Sequence, residues 1–377
     1  MKNRDNLLIV AASEHDADML YATGIFVPDP FIFLRTRGRP RLVMSDLEID
    51  RARRQAPDCR VVPLSRYIRT LRERGVKSPG LPQALALFLR EKKIKRAVVP
   101  HSFPLGLAAE LRRNRIRVKP ASGSFFPERE QKTSAEVKKI SAALMMAEVG
   151  MAEAIQALRS SKIGRDKRLL YNSVPLTSEK LRGIIDTAIL QVSGLASRTI
   201  VAGGRQGCDP HEIGHGPLRA NEPIIIDIFP RSQTTGYFGD ITRTVVRGRA
   251  SDALRELYDT VLQGQALAFK QMRAGQKTAY IHKSVLEFFE RQGYKTGKRN
   301  GRMQGFFHGT GHGLGLEIHE APRVGLNSPG TLKAANVVTV EPGLYYPELG
   351  GVRLEDVALV TNGRPRNLTR FEKLLEI

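Results

Sequence analysis

The chain has 377 residues, 41% of them hydrophobic and 26% charged, with a formal net charge of +22 and a pI near 10.3. This composition is typical of a globular protein with a sizeable core, and the length predicts two domains. Cys59 and Cys208 are the only cysteines, which excludes a disulfide framework and favours a reducing cytoplasm. No continuous apolar run approaches the roughly 20 residues that cross a bilayer, so we expect no membrane association. The apolar stretch in MKNRDNLLIVAASEHD is too short for a signal peptide and predicts a first strand.

The positive charge is concentrated at the N-terminal end. Residues 1–120 contain 25 Lys and Arg against 12 Asp and Glu, in runs such as RTRGRPR, KKIKR and RRNRIRVK. Such a balance could attract nucleic acid or an anionic membrane, but arginine-rich solvated helices and turns would produce it equally well. No aromatic residues interleave the runs to stack on bases. We therefore do not expect a nucleic-acid partner.

The first part of the chain alternates between strand and helix patterns. Strands are predicted at 7–11, 31–35, 41–45, 60–64 and 96–100, and helices at about 46–55, 66–74, 82–92 and 105–113. The turn at residues 37–40 predicts a hairpin between the second and third strands. This alternation indicates an α/β N-terminal domain, a mixed sheet covered by helices, over residues 1–125.

The pattern lapses in PASGSFFPEREQK (120–132), which predicts a linker, and a second domain is expected over 126–377. Thr133 and Glu136 form a capping-box pattern that starts a long helix ending near Ser160. Further helices are predicted at 177–192, 252–273 and 279–291. Strands are predicted at 199–203, 223–229, 239–248, 336–343 and 351–360.

Two carboxylates lie on the neighbouring strands of a predicted hairpin. Asp227 sits within the apolar run PIIIDIF, where an ionised carboxylate is costly unless it is paired or metal-bound. Asp240 opens the next strand, with Thr242 and Thr244 on its face. A divalent cation between the two would remove their repulsion. The alternative is that Asp227 pairs with an arginine and Asp240 caps a turn.

The C-terminal strands add two more acidic residues. Glu341 ends the apolar run VVTVE, and in GGVRLEDVALV one face of a continuous strand would carry Arg353, Glu355 and Val357. A buried pair between Arg353 and Glu355 is the alternative there, although residues two apart on a strand are poorly placed for it.

The stretch HGTGHGLGLEIHE (308–320) supplies an imidazole, and its glycines permit close approach. They also rule out a helical zinc motif, and the stretch lacks the spacing of a nucleotide-binding loop. Together with the four carboxylates, His312 makes a donor set suited to two ions of manganese, cobalt, iron or zinc. The sequence thus predicts a dinuclear metal site formed by Asp227, Asp240, His312, Glu341 and Glu355.

The segments DIFPR, GDITRT, TGHGLGLEIHE, VEPGLYY and GGVRLEDVALVT together resemble the M24 metallopeptidase family, which includes Xaa-Pro aminopeptidases, prolidases, methionine aminopeptidases and creatinase. The resemblance implies an α+β pita-bread catalytic domain preceded by a creatinase/prolidase-type N-terminal domain. It also implies a dimer. That N-terminal domain disfavours methionine aminopeptidase, which lacks it, and the complete ligand set disfavours creatinase.

The resemblance also implies roles for individual residues. Asp227 would chelate the first metal, Asp240 and Glu355 would bridge both, and His312 and Glu341 would hold the second. Glu341 would also shuttle the proton. His319 and His211 would contact the reaction intermediate and the leaving group, and Arg353 would orient groups in the site. His215 is a rival for the role given to His211, and His308 has no assigned role.

The implied activity is that of a dinuclear-metal-dependent aminopeptidase, which releases the N-terminal residue from Xaa-Pro peptides by attack of a metal-bridged hydroxide on the scissile carbonyl. Manganese is the first expectation for the metal, with cobalt, zinc or iron as alternatives. The alternative activity is that of a prolidase acting on Xaa-Pro dipeptides. A third reading is a pita-bread protein without catalysis that binds nucleic acid or protein. It predicts decayed metal ligands, which the sequence does not show.

Overall fold

The computed structural model describes residues 6–377. The chain divides into two compact units, Met1–Pro127 and Glu128–Ile377.

The first unit is a six-stranded mixed sheet with helices on both faces. Its strands are β1 (Leu7–Ala11), β2 (Phe31–Arg35), β3 (Arg41–Met44), β4 (Arg60–Pro63), β5 (Arg96–Val99) and β6 (Arg117–Pro120). Its helices are α1 (Ala17–Thr23), α2 (Ile49–Gln55), α3 (Leu64–Glu73), α4 (Leu81–Glu91) and α5 (Leu105–Arg113), with a 3₁₀ turn at Asp46–Glu48; a second 3₁₀ turn, Pro127–Glu130, spans the boundary between the units. The strand order is β4-β3-β2-β1-β5-β6, antiparallel only at the β1–β2 and β2–β3 pairs. The strands, helices and hairpin predicted for this region are confirmed, whereas α1 and β6 were not predicted.

Alternation along the central strand explains why this sheet needs cover on both sides. Leu7 and Ile9 of β1 pack into one apolar core, while Leu8 and Val10 pack into a second core on the opposite face. All four side chains are buried. Helices must therefore lie on both faces, as the alternating sequence pattern predicted.

The second unit contains four long helices and many short strands. The helices are α6 (Ser134–Ser160), α7 (Ser178–Gln191), α8 (Asp252–Gln271) and α9 (Thr278–Arg291), with a 3₁₀ turn at Gly204–Cys208. The strands of its first half are β7 (Lys162–Ile163), β8 (Leu169–Tyr171), β9 (Val174–Pro175), β10 (Gly194–Leu195), β11 (Ile200–Gly203), β12 (Ile224–Ile228), β13 (Arg231–Ser232) and β14 (Ile241–Val245). Those of its second half are β15 (Gly297–Arg299), β16 (Arg302–Gln304), β17 (Gly311–Gly313), β18 (Glu320–Val324), β19 (Val337–Val340), β20 (Gly343–Tyr346), β21 (Gly350–Arg353), β22 (Asp356–Leu359) and β23 (Arg366–Asn367).

Each half of this unit packs a pair of helices against a sheet. In the first half, α6 and α7 share an apolar core with the sheet β11-β12-β14. In the second half, α8 and α9 share a core with the sheet β18-β17-β19-β22-β23 and with the β20-β21 ribbon. The two halves meet where the backbone N–H of Glu355 donates to the carbonyl of Thr242 on β14, at 3.1 Å.

Helix α6 begins at the predicted capping box. The side chain of Thr133 accepts from the N–H of Glu136, and the carboxylate of Glu136 accepts from the N–H of Thr133, at 2.8 Å. Among the described residues, α6 alone has the length and apolar content of a membrane-crossing helix, and half of that apolar window is buried inside the fold. Its buried positions pack against α7 and the sheet, which is the position of a core helix.

The predicted continuous strand over 351–360 is wrong. The structure breaks it after Arg353: β21 pairs with β20 in a two-stranded ribbon, and β22 pairs with β19 in the five-stranded sheet. Leu354 and Glu355 lie between the two strands. Strand alternation does not extend across the break, so it does not determine where the side chains of Arg353 and Glu355 lie. The contacts described in the next subsection position them.

Candidate metal centre

A cavity of about 870 Å³ in the second unit is lined by all eight residues that the sequence analysis singled out. They come from both halves of the unit: Asp227, Asp240, His211, His312, His319, Glu341, Arg353 and Glu355. His215 does not line this cavity; its ring lies 3.7 Å from the carboxylate of Glu212.

The β12–β14 pair places the two aspartates on one face. Asp227 lies opposite Thr242 in the antiparallel register, and Asp240 directly precedes β14. Both side chains are buried, with residue exposures of 9% and 4%. The predicted hairpin is therefore confirmed, and it carries both carboxylates to the cavity.

The sheet of the second half supplies the imidazole. His312 is the middle residue of β17, and its Nε2 lies 3.7 Å from Asp240 and 3.4 Å from Glu341. The flanking glycines are required by close packing: a Cβ at Gly311 would lie 1.9 Å from the carbonyl oxygen of Thr339, and one at Gly313 would lie 2.3 Å from that of Ala321. The glycine-rich stretch thus lets β17 fit between its neighbours.

Three of the predicted donors form a compact group. One potential ligand atom from each of Asp240, His312 and Glu355 lies within 4.8 Å of the other two. Glu355 is held by Thr242, whose hydroxyl donates to its Oε2 at 2.8 Å. The other oxygen of Glu355, Oε1, is buried and has no hydrogen-bond partner, and the same is true of Asp227 Oδ1. Two buried, unpaired carboxylate oxygens on residues that line one cavity are better explained by a bound cation than by an ordinary protein interior.

Arg353 contacts one of these carboxylates directly. Its Nη2 donates to Asp227 Oδ2 at 2.7 Å, and its Nη1 donates to the Tyr345 hydroxyl at 3.1 Å. The alternative reading that Asp227 pairs with an arginine is thus correct, whereas the predicted alternative of a pair between Arg353 and Glu355 is not what forms. Asp227 can both pair with an arginine and bind a metal ion, because Arg353 contacts one carboxylate oxygen and leaves the other free.

Electrostatics in the cavity reflect crowded negative charge. Burial, and then the charge of Glu355, raises the pKa of Asp240 well above its usual value, and burial together with Glu341 does the same for Glu355. Burial raises the pKa of Glu341 to about 7, against the opposing charge of Arg353. Burial lowers the pKa of His312 to about 3, so its imidazole is neutral and can act as a ligand. Divalent cations would relieve the repulsion among these carboxylates.

The remaining histidines differ in their surroundings. The ring of His319 packs edge-on against that of His312, with centroids 4.4 Å apart, and His211 is exposed at the cavity wall. His308 Nε2 lies 2.8 Å from the Tyr345 hydroxyl, so it joins the chain of contacts that leads through Arg353 to Asp227. That chain gives His308 a structural connection to the site which the sequence did not indicate.

Sequence reasoning missed several residues around the site. Arg198 and Arg323 line the cavity. The Tyr345 hydroxyl accepts a hydrogen bond from Arg353, and the carboxylate of Glu320 accepts one from the N–H of Leu316 in the preceding loop. Tyr345 and Glu320 lie within the segments VEPGLYY and TGHGLGLEIHE, so their closeness to candidate ligands was a usable signal. Nothing in the local sequence distinguishes Arg198 or Arg323 from the many other arginines.

The fold and the donor set together are those of a metallopeptidase. Comparison with known proteins indicates the same class. The chain belongs to metallopeptidase family M24, whose model matches residues 138–362. It is 33% identical over 178 residues to the Xaa-Pro dipeptidase of Pyrococcus furiosus, a match that covers 47% of this chain and 48% of that protein. The match to the Xaa-Pro dipeptidase of Pyrococcus horikoshii is 29% identical over 285 residues and covers 75% of each chain. The first of these matches therefore spans only about half the length of the relative.

Solved structures extend the likeness over the whole chain. The X-Pro aminopeptidase of Thermotoga maritima superposes with a TM-score of 0.82 at 23% identity, covering 99% of this chain and 98% of that one. The prolidase of Pyrococcus furiosus superposes with a TM-score of 0.79 at 23% identity, covering 98% and 97%. At these identities the likeness establishes the fold alone. It confirms the predicted α/β N-terminal domain followed by a pita-bread domain.

Proposed function

We propose that the protein is a metal-dependent aminopeptidase that releases the N-terminal residue from peptides with proline at the second position. Residues 126–377 form its catalytic domain, and residues 1–125 form the creatinase/prolidase-type N-terminal domain. The observation that carries the proposal is the convergence of four carboxylates and one neutral imidazole in one cavity, with two carboxylate oxygens left unpaired. Membership of family M24 and the likeness to an Xaa-Pro dipeptidase and an X-Pro aminopeptidase support a peptidase of Xaa-Pro substrates.

Five residues would hold two divalent cations: Asp227, Asp240, His312, Glu341 and Glu355. Oxygen donors with a single imidazole suit manganese first, with cobalt, zinc or iron as alternatives. When bound, such a pair supplies a hydroxide nucleophile at neutral pH and polarises the scissile carbonyl.

The protein's own groups would perform the proton transfers and orient the substrate. Glu341, which lines the cavity beside His312, would accept a proton from the attacking water and return it to the leaving nitrogen. His319 and His211 line the cavity and would hydrogen-bond the developing oxyanion and the leaving group. Arg353 fixes the orientation of Asp227 through the 2.7 Å contact.

A second candidate, an Xaa-Pro dipeptidase, is favoured by a specific observation. Arg198 and Arg323 line the same cavity, and a guanidinium can pair with the free carboxylate of a dipeptide. A longer peptide has no carboxylate at that position. If the protein is a dipeptidase, Arg323→Met should raise the KM for Ala-Pro far more than the KM for Ala-Pro-Ala, whereas replacing the exposed Arg299 should change neither.

The deciding experiment is turnover of Ala-Pro, Ala-Pro-Ala and Ala-Ala-Ala by manganese-reconstituted protein, with Asp240→Ala as the control. Preferred cleavage of Ala-Pro-Ala supports the aminopeptidase, and cleavage of Ala-Pro alone supports the dipeptidase. Cleavage of Ala-Ala-Ala alone would overturn the proline specificity. A third candidate, a protein that binds nucleic acid or protein without catalysis, would show salt-dependent binding and no hydrolysis; the intact donor set speaks against it.

We further propose a homodimer in the cytoplasm, with no nucleic-acid or membrane partner. The homodimer is carried over from the family resemblance, and the two free cysteines, Cys59 and Cys208, suit a reducing compartment. Light scattering of the purified protein tests the dimer.

A further inference from the structure

Around the break between β21 and β22, side chains donate to three successive backbone carbonyls. The hydroxyl of Thr244 donates to the carbonyl of Arg353 at 2.9 Å. The amide of Gln265 donates to that of Leu354 at 3.0 Å, and the guanidinium of Arg243 donates to that of Glu355 at 2.6 Å. The carbonyls around Glu355 are therefore held by side chains, while the N–H of Glu355 donates to the carbonyl of Thr242 on β14.

Gln265 differs from the other two because it contacts the backbone next to both glutamates of the proposed metal site. It projects from α8, is 3% exposed, and its Nε2 also donates to the carbonyl of Val340 at 2.9 Å. Val340 directly precedes Glu341, as Leu354 directly precedes Glu355. One amide group thus joins the backbone immediately before each carboxylate.

The chemistry requires a donor at this position. Both partners are carbonyls, which only accept, so the NH₂ end of the side chain must face them and both of its hydrogens are used. An apolar side chain of the same size would leave two buried acceptors unsatisfied. Among the described residues, no other side chain donates to either carbonyl.

We propose that Gln265 is a positioning residue that fixes the spacing of Glu341 and Glu355, and through that spacing the affinity of the site for its cations. The inference rests on the proposed metal site. Gln265 does not line the cavity and touches neither substrate nor the reacting atoms. Groups that orient ligands from behind a metal site typically contribute about 10- to 100-fold to metal affinity, and we expect that range here.

The test replaces Gln265 by methionine, which keeps the length and removes both donors. The matched control is Thr260→Val on the same helix. Thr260 is also buried, but its hydroxyl donates within the helix, to the carbonyl of Glu256. Manganese and cobalt affinities are measured by titration calorimetry, together with the visible spectrum of the cobalt-loaded protein.

We expect Gln265→Met to bind the ions about 10- to 100-fold more weakly, with an altered cobalt spectrum, while Thr260→Val binds as wild type does. If the methionine variant does not fold, Gln265→Asn keeps the amide on a shorter arm and should show a smaller loss in the same direction. Wild-type affinity and spectrum in either folded variant would overturn the inference. Failure of the wild-type protein to bind metal would instead overturn the proposed site.

Discussion

Glu320 offers a sharp test of how burial sets the strength of an ion pair in this protein. It is buried, its Oε2 accepts from Lys132 Nζ at 2.8 Å, and its Oε1 accepts from Arg129 and from the N–H groups of Leu316 and Glu317. These contacts fix the loop that carries His319. Replacing Glu320 by glutamine removes the charge and one acceptor oxygen while keeping the shape.

The expected loss in the free energy of unfolding depends on how deeply the unpaired partner is buried. Lys132 has a side-chain exposure of 1%, so the substitution leaves a buried ammonium without its counter-charge. Removing one partner of a buried pair costs about 3–5 kcal/mol in the free energy of unfolding. Glu317 is a matched control: its carboxylate lies 2.8 Å from the same Arg129, but its side chain is 57% exposed. An exposed pair is worth about 0–1 kcal/mol, so Glu317→Gln should be nearly neutral.

The assay is urea unfolding of both variants, followed through the transition of the second unit, at pH 7 and at lower pH. Burial raises the pKa of Glu320, but the charges of Lys132 and Arg129 outweigh it and hold the pKa below its usual value of 4.5. The stabilisation is therefore complete above pH 4.5 and is lost as the pH falls through the lower folded-state pKa. Equal losses for the two variants, or a wild-type advantage that grows on acidification, would refute this reasoning.

Three further outcomes are expected. Asp240→Ala should weaken metal binding by more than the roughly 100-fold typical of losing a supporting group, as measured by calorimetry, and should abolish turnover. In metal-free protein, the pKa of Glu341 is raised from 4.5 to about 7, so the folded state holds a proton that the unfolded state releases. The stability difference between wild type and Glu341→Gln should therefore fall by about 3 kcal/mol from pH 4.5 to 7, and a constant difference in urea unfolding would contradict this. Burial raises the pKa of Cys208 to about 12, so iodoacetamide should alkylate it far more slowly at pH 8 in the folded protein than in urea, as mass spectrometry can show.

The sequence predicted most elements because their signals are local. The capping box of Thr133 and Glu136 marks the start of α6, and continuous apolar runs mark β1 and β2. Helix α1 was not predicted, because its seven residues are too few to show a period, although its Asp16 cap and Gly24 stop are visible afterwards. Strand β6 was hidden in a basic run, because an edge strand of Arg117, Val118 and Lys119 has little apolar content.

The donor set of the site could also be proposed from sequence, because a carboxylate in an apolar strand is costly and therefore conspicuous. The side chains that contact those carboxylates could not be predicted from the sequence. The contact between Arg353 and Asp227 joins residues 126 positions apart, so no local pattern indicates it. A continuous strand was the natural reading of GGVRLEDVALV, since nothing local indicates that two different sheets share it.

The anchoring of residues 371–377 against β14 has a consequence for the backbone of Glu355. Arg243 donates to the carbonyls of Phe371 and Glu372 as well as to that of Glu355, and the N–H of Ile377 donates to the carbonyl of Val246. One buried guanidinium thus joins this segment to the backbone of a candidate metal ligand. A change that displaces Phe371 or Glu372 would therefore also disturb Glu355, although neither residue lines the cavity.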